Sequence, residues 1–579
     1  MEAVSDCTNT VDLILIRDNP WRFSYRQTRN RSVIHFLYIS PQLLVIQTTL
    51  GIYSMKSYLF KKAPLAIAVA MMTVSGAALA QATAPATGEE WFEQGQKALK
   101  ETKHVLPNLR RAKNVILFVG DGMGVSTVTA SRILEGQLNG EDGEFNRLSF
   151  EKFPHLAMAV TASHNQQTSD SAPTATAMVA GIKTNDGAIS TDPAMDRNEP
   201  DASVVAAHSV KTILEQAEER GMSTGVVSTA RITHATPAVN YAHIGNRDWE
   251  NNSSLPAGAT VKDIAAQLID MPYGDGLEVA LGGGRSNFTT NTMADPEYPT
   301  RMGSRTDGRD LTAEWQQMPK SAYVWNQAQF DAINPKKTKH LLGLFERSHM
   351  KYEADRANDV AGEPSLAEMT QKAIEILKQN KKGFYLMVEA GRIDHAHHAG
   401  NAHRALTDTI ALSEAVKVAK EMLGDDTLIV VTADHSHVFT LAGYPSRGNP
   451  ILGKAAVDGV ELTDSLGLPF TTLGYANGPG FTGNGTRREF NPANEGYVAA
   501  DYIGTAARPD LSGIDTTDPN YLQEAAVPMG SETHAGEDVA IYATGPKAYL
   551  FQGTQEQNYI YHVMADALGW SKKGWHWGW

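Results

Sequence analysis

The sequence predicts an α/β fold on a layered, largely parallel sheet, and three observations carry that prediction. Short β-branched runs recur along the chain, as central strands buried on both faces require. Helix-like segments with glycine at or near their ends lie between them. Several runs end in a carboxylate, and open α/β sheets bind ligands beyond the carboxyl ends of their strands.

Taken in order, Asn114–Gly120 (NVILFVG) runs into Asp121, and Gly225–Ser228 (GVVS) precedes a polar stretch. Phe384–Val388 (FYLMV) runs into Glu389, and Thr427–Ala433 (TLIVVTA) runs into Asp434-His435. Val204–Ala217 and Leu366–Gln379 are the intervening helix-like segments. Gly282-Gly283-Gly284 lacks a following Lys-Ser/Thr and reads as a tight turn after a strand, not a phosphate loop. Residues 441–530 are rich in Gly, Pro, Asn and Thr and read as an elaborated insertion. The core is expected over 81–440, with 531–579 completing it.

The 579 residues, 42% hydrophobic and 20% charged, can bury a large core, which excludes a disordered, collagen-like or disulfide-stapled mini-protein. A net charge of −14 argues against a general nucleic-acid binder. Cys7 is the one cysteine, so no intramolecular disulfide can form.

Residues 55–80 (MKSYLFKKAPLAIAVAMMTVSGAALA) combine early lysines, an apolar run and Ala78-Leu79-Ala80, the plan of a secretory signal peptide. Translation is then expected to start at Met55, with residues 1–54 a mis-called upstream extension. An internal membrane anchor is the alternative, but it leaves the small-residue site without purpose. Residues 1–54 carry five Arg against four acids, and 55–80 carry three Lys and no acid, so the exported chain would stand at −18. A secreted or periplasmic location follows. The C-terminal SKKGWHWGW lacks a hydrophobic anchor tail.

Chemistry concentrates in a few stretches. In EAGRIDHAHH, Asp394 and His398 are spaced i, i+4 and share one side of a helix, which makes a divalent-metal half-site. His395 and His397 cannot both share that face. Asp434 and His435 follow a buried strand directly and can reach one ion where the chain turns. His534, in SETHAGED, precedes the apolar Val539–Tyr542; alone it would be structural as readily as a ligand. Asp121, in GDGMG, is flanked by glycines that let backbone approach an ion closely, although D-G also marks ordinary turns. Ser171, in SDSAPTATAMVAG, should begin a helix, as a plain cap or where free amides favour an anion. A serine needs activation to attack. Two zinc ions with a harder magnesium in an oxygen-rich pocket would suit these donors.

Six motifs, GDGMGVSTVTASRIL, TSDSAPTATAM, THATPAVNYAHIGNRDW, VEAGRIDHAHH, VTADHSHVFTLAGYPSRGN and SETHAGEDVAIYATGP, closely resemble alkaline phosphatases, especially the animal-type branch, in the family's order from about Ala112 to Trp570. The resemblance implies a three-layer sandwich with a crown-like insertion. It implies broad phosphate-monoester hydrolysis through a phosphoserine at Ser171. Asp394, His398 and His534 would hold one zinc, and Asp121, Asp434 and His435 the second. Asp121 would bridge to a magnesium held by Thr236 and Glu389, with Thr236 standing where the animal-type motif has Ser. Arg247 would clamp the phosphate with Asp170 orienting it. His234, His395 and His437 are implied as supporting or phosphate-side groups.

The same resemblance implies a calcium site at Glu297, the Phe345 carbonyl, Glu346 and Glu363; the family has Asp at the last position, and this chain carries extra residues just before it. It also implies a homodimer acting on small phosphomonoesters, with no nucleic-acid role and no membrane anchor. The family's disulfides have no counterpart here. Related hydrolases of phosphodiesters or sulfate esters use Thr or a modified Cys and usually lack the Arg clamp, so Ser171 with Arg247 favours the monoesterase. A non-catalytic metal-storage protein is the other class considered; it predicts that Ser171→Ala changes nothing.

Overall fold

Asn114–Gly120 (β1), Phe384–Ala390 (β7) and Thr427–Ala433 (β8) have every residue buried. Successive strand residues point to opposite faces, so both faces of the sheet are covered, giving three layers. The structure, a computed structural model, describes residues 85–504 and 508–570. The expected upstream extension (1–54), the signal peptide (55–80) and the terminal residues 571–579 lie outside these.

Among the described residues the sheet has ten strands. The others are His155–Val160 (β2), Ser223–Arg231 (β3), Val279–Gly283 (β4), Ser321–Val324 (β5), His340–Leu344 (β6), Val539–Thr544 (β9) and Thr554–Glu556 (β10). Their order is β10-β2-β9-β8-β1-β7-β3-β4-β6-β5. All pairings are parallel except those of β9 with β2 and β8. Register sets Gly120 beside both Ala390 and Ala433. The residues that follow β1 and β8, Asp121 and Asp434, therefore emerge together at one edge, next to Glu389 near the end of β7.

Two expected boundaries shift. The helix anticipated over Val204–Ala217 is two helices, Ala202–His208 and Ile213–Glu219. Ser209 is extended, and Thr212 opens the second helix with a capping box to Glu215, a T-x-x-E signal that outweighs continuity. Leu366–Leu377 ends two residues short of Gln379. Of the three glycines, Gly282 and Gly283 finish β4, and only Gly284 turns, with φ of 94°.

The described residues of 441–530 add no strand to the ten-stranded sheet. They form hairpins, including Arg487–Asn491 with Gly496–Ala500, and a small sheet of Phe439–Leu441, Leu473–Gly478 and Ala525–Pro528. Ile451, Leu473 and Tyr475 pack with Phe439 on Ile133 and Leu134 of the helix Val125–Leu138, which anchors this layer to the core. Among the described residues no helix is long and apolar enough to cross a membrane.

Candidate metal centre and active site

Three elements bring the first group together. Asp394 and His398 lie on the helix Arg392–His398, as their spacing predicts. His534 reaches them because His534–Ala535 pairs antiparallel with Ser436–His437, just beyond β8. His398 Nε2 and His534 Nε2 each stand 3.3 Å from Asp394 Oδ1 and 3.0 Å from one another. A tetrahedral ion with bonds of about 2.0–2.1 Å spaces its ligands by about 3.3 Å, so the three donors fit one cation. Their tautomers also fit. His398 Nδ1 donates to the Glu532 carbonyl at 2.6 Å and His534 Nδ1 to the Ser169 carbonyl at 2.8 Å, which leaves both Nε2 lone pairs facing inward.

Asp121, Asp434 and His435 form a second group, with donor atoms mutually within 4.8 Å. Asp434 Oδ1 is fixed by the amides of Gly122 and His435, both at 3.0 Å. Gly122 is required here: its φ is 69°, and a Cβ would stand 2.4 Å from His437 Nε2. Asp121 Oδ2, Asp434 Oδ2, Glu389 Oε1 and Thr236 Oγ1 are all buried with no hydrogen-bond partner among the described residues. Buried oxygens without protein partners at all four oxygen donors of the expected second zinc and magnesium sites form a set that cations would satisfy. Electrostatics agree. Burial first, then the Asp434, Asp394 and Glu389 charges, push the Asp121 pKa well up. Burial and the Asp434 charge lift Glu389 to about 7. Cations resolve that conflict, and the donor set fits them.

Ser171 is the first residue of the helix Ser171–Ala180, as expected. Its Oγ lies 3.2 Å from His435 Nε2 and 3.4 Å from Asp121 Oδ1. Arg247 Nη1 contacts both carboxylate oxygens of Asp170 at 2.5 Å. Burial works to raise the Asp170 pKa, but the Arg247 guanidinium overrides it and holds the carboxyl below its usual range. Arg247 Nη2 meets His234 Nε2 at 2.9 Å.

His437 has no nitrogen free for phosphate. Its Nε2 meets Asp394 Oδ1 at 2.9 Å and its Nδ1 meets Glu532 Oε2 at 2.5 Å, so it braces a carboxylate. His397 points away to Thr127 Oγ1 and Tyr475 Oη, while His395 lies against His234 and His349.

At the calcium positions, Arg285 Nη2 donates to Glu297 Oε2 at 2.9 Å and Nη1 to the Phe345 carbonyl at 3.2 Å. Lys351 Nζ pairs with Glu346 at 2.6 Å. Glu363 Oε2 and Glu297 Oε1 are buried without partners, and so are both oxygens of Asp359. Burial chiefly, then the Asp359 and Glu346 charges, raise the Glu363 pKa well above the ordinary value. The expected groups therefore meet, joined by a carboxylate, Asp359, that lies outside the four motif positions.

Sequence reasoning missed three other residues. Glu532 supports His398 and His437; its place two residues before His534, in one acidic motif, is the signal that could have found it. Ser228 hydrogen-bonds Glu389 from the end of a run already read as a strand. His349, in ERSHMKYE, carries no sequence signal.

The family model described as alkaline phosphatase matches residues 112–570. The tissue-nonspecific alkaline phosphatase isozyme of Gallus gallus is 43% identical over 494 residues, 83% of this chain and 89% of its own. An alkaline phosphatase of Gadus morhua is 42% identical, covering 82% of this chain and 96% of its own. The crystal structure of Thermus thermophilus alkaline phosphatase shares the fold with a TM-score of 0.55 at 23% identity, over 85% of this chain and 97% of its own. With relatives matched along nearly their whole length and a metal-ready site at the strand ends, the chain belongs to the alkaline phosphatase family and is a metal-dependent phosphate-monoester hydrolase.

Proposed function

We propose that hydrolysis runs through a phosphoserine at Ser171, with Arg247 as the phosphate clamp. Asp394, His398 and His534 would hold one zinc, Asp121, Asp434 and His435 a second, and Asp121, Thr236 and Glu389 a magnesium. The observation that carries this reading is Ser171 Oγ at 3.2 Å from His435 Nε2 and 3.4 Å from Asp121 Oδ1, at the first turn of its helix.

When bound, the cations lower the pKa of the serine hydroxyl and of a water and offset the charge on the phosphoryl oxygens. Ser171 Oγ attacks phosphorus, and the bond from phosphorus to the leaving oxygen breaks. Water then attacks the phosphoserine, which releases phosphate and restores the hydroxyl. Arg247, aligned by Asp170, donates to the phosphoryl oxygens throughout, and the first-turn amides of Ser171–Ala180 favour the same anion. None of these contacts involves the leaving group, which supports broad specificity.

The wider reading is a secreted or periplasmic homodimer with calcium at Glu297, Phe345, Glu346 and Glu363. Residues 441–530 would be a crown over the dimer interface and the mouth of the site. Supporting the crown, Glu495 of its hairpin pairs at 2.7 Å with Arg392 of the catalytic helix. Supporting the dimer, the helix Gly88–Lys103 buries no residue and exposes Trp91 and Phe92, a surface suited to a second copy.

Acid quenching of turnover should trap one phosphate per chain on Ser171, and Ser171→Ala should trap none while still binding metal. A monoester, a diester and a sulfate ester assayed together complete the test, because dominant hydrolysis of either of the last two overturns the assignment.

A further inference from the structure

Beside the site stand three imidazoles, His234, His349 and His395, that take no part in the phosphoserine mechanism. One ring nitrogen from each lies within 4.8 Å of one from each of the others, and the His349 and His395 rings are 4.1 Å apart between centres. By composition alone, three histidines make a zinc site. Their hydrogen-bond partners say otherwise.

Guanidinium N–H groups only donate, so an imidazole nitrogen that faces one must present its lone pair. A neutral imidazole then carries its proton on the opposite nitrogen. His234 Nε2 faces Arg247 Nη2 at 2.9 Å, which puts the proton on Nδ1, an atom that is buried and has no partner. His395 Nδ1 faces Arg392 Nη1 at 3.0 Å, which puts the proton on Nε2. His349 faces a donor on each nitrogen, the Arg231 amide on Nδ1 at 3.2 Å and Arg231 Nη1 on Nε2; a neutral ring has one lone pair to offer, so at one of the two an N–H meets an N–H head to head. Two donors so placed need an acceptor between them. Arg231 cannot turn away easily, since Glu250 grips its Nε at 2.8 Å and its Nη2 at 2.7 Å; besides His349, Nη1 has only Ser348 Oγ, at 3.4 Å.

The contrast with His398 and His534 is direct. There, carbonyl oxygens take the Nδ1 protons and leave lone pairs for a cation. In the trio, arginine and amide donors take the lone pairs and leave N–H groups.

We infer that His234, His349 and His395, with Arg231, form a second oxyanion subsite next to the phosphate clamp, one that takes a phosphate group in addition to the one being transferred. Arg247 joins the two sites, with Nη2 on His234 and Nη1 on Asp170 beside Ser171. Asp121 and Glu389 also have oxygens within 4.8 Å of a His234 nitrogen. In the loaded enzyme their charge is offset by the cations they would hold. The second phosphate is either carried on the leaving group of the substrate or free in solution. This inference rests on the phosphomonoesterase reading of the adjacent site and adds, within its broad specificity, a lower KM for esters or anhydrides with a second phosphate.

The test compares the metal-loaded wild type with His349→Leu and His349→Gln, whose amide N–H can replace the ring donor. KM is measured for pyrophosphate and for 4-nitrophenyl phosphate, with Ki for inorganic phosphate and bound metal per chain. The expected result is a KM ratio, pyrophosphate over the aryl ester, raised about tenfold in His349→Leu and largely restored in His349→Gln. A rise confined to the Ki for inorganic phosphate would support the subsite with free phosphate as its occupant. Loss of one metal equivalent in His349→Leu overturns the inference in favour of a tri-histidine metal site. So does an unchanged ratio with an unchanged Ki. Absence of aryl-ester turnover in the wild type would instead strike the phosphomonoesterase reading itself.

Discussion

His398 Nε2 and His534 Nε2 lie 3.0 Å apart although 136 positions separate them in the chain. A seven-residue helix carries one, and a two-residue strand pairing carries the other. Backbone carbonyls turn both rings so that their lone pairs face the same point as Asp394 Oδ1. Glu532 is central to that arrangement. Its carbonyl holds His398, its Oε2 holds His437 against Asp394, and its Oε1 accepts the Val438 amide at 2.8 Å.

Glu532→Ala should therefore weaken metal binding at Asp394, His398 and His534 about 10–100-fold. Competitive zinc titration measures this directly. Activity should return in excess zinc, a rescue that a folding defect would not show.

Arg247→Lys keeps the charge but loses the fork that meets Asp170 and two phosphoryl oxygens together. Its kcat/KM for a monoester should fall roughly 10–100-fold, and Arg247→Ala should fall further because both phosphate donors are lost and the half-buried Asp170 carboxylate is left unpaired. Steady-state kinetics check both variants.

Calcium should raise the melting temperature of the wild type, since Glu297, Glu346, Asp359 and Glu363 present close, buried charge. Asp359→Asn should blunt that rise as much as Glu363→Gln does. Calorimetry with and without calcium, on enzyme otherwise loaded, decides the point.

Away from the site, Glu218 and Glu278 lie near the amino ends of β3 and β4. Burial chiefly lifts Glu218 to about 7; burial and then the Glu218 charge lift Glu278 to about 8. The folded chain keeps protons that the unfolded chain releases near the ordinary value of 4.5. This contribution to stability is complete below that value, falls as pH rises, and is lost above about 8. Glu278→Gln keeps an acceptor for the Thr224 amide, at 2.7 Å from Glu278 Oε2, and should flatten the decline. A gain on the order of 2 kcal/mol at pH 9, relative to wild type, is expected from denaturant melts.

Much of the sheet and site could be read from the chain because both rest on local pattern. β1 and β8 match the expected runs residue for residue, since a strand buried on both faces must be uniformly apolar. Asp394 and His398 met as predicted because helical spacing fixes their separation. The helix break at Ser209 was harder, since a capping box competes with apolar periodicity. His349 and Asp359 were illegible: each gains its role from tertiary neighbours, Arg231 and Glu297, that no local spacing announces.

Diffraction from crystals of the native enzyme on both sides of the zinc absorption edge tests the central claim most directly. Two anomalous peaks should appear, one among Asp394, His398 and His534 and one among Asp121, Asp434 and His435, with Ser171 Oγ facing the second. Metal-loaded, active crystals with no peak in either cluster, or with their only peak among His234, His349 and His395, would contradict it.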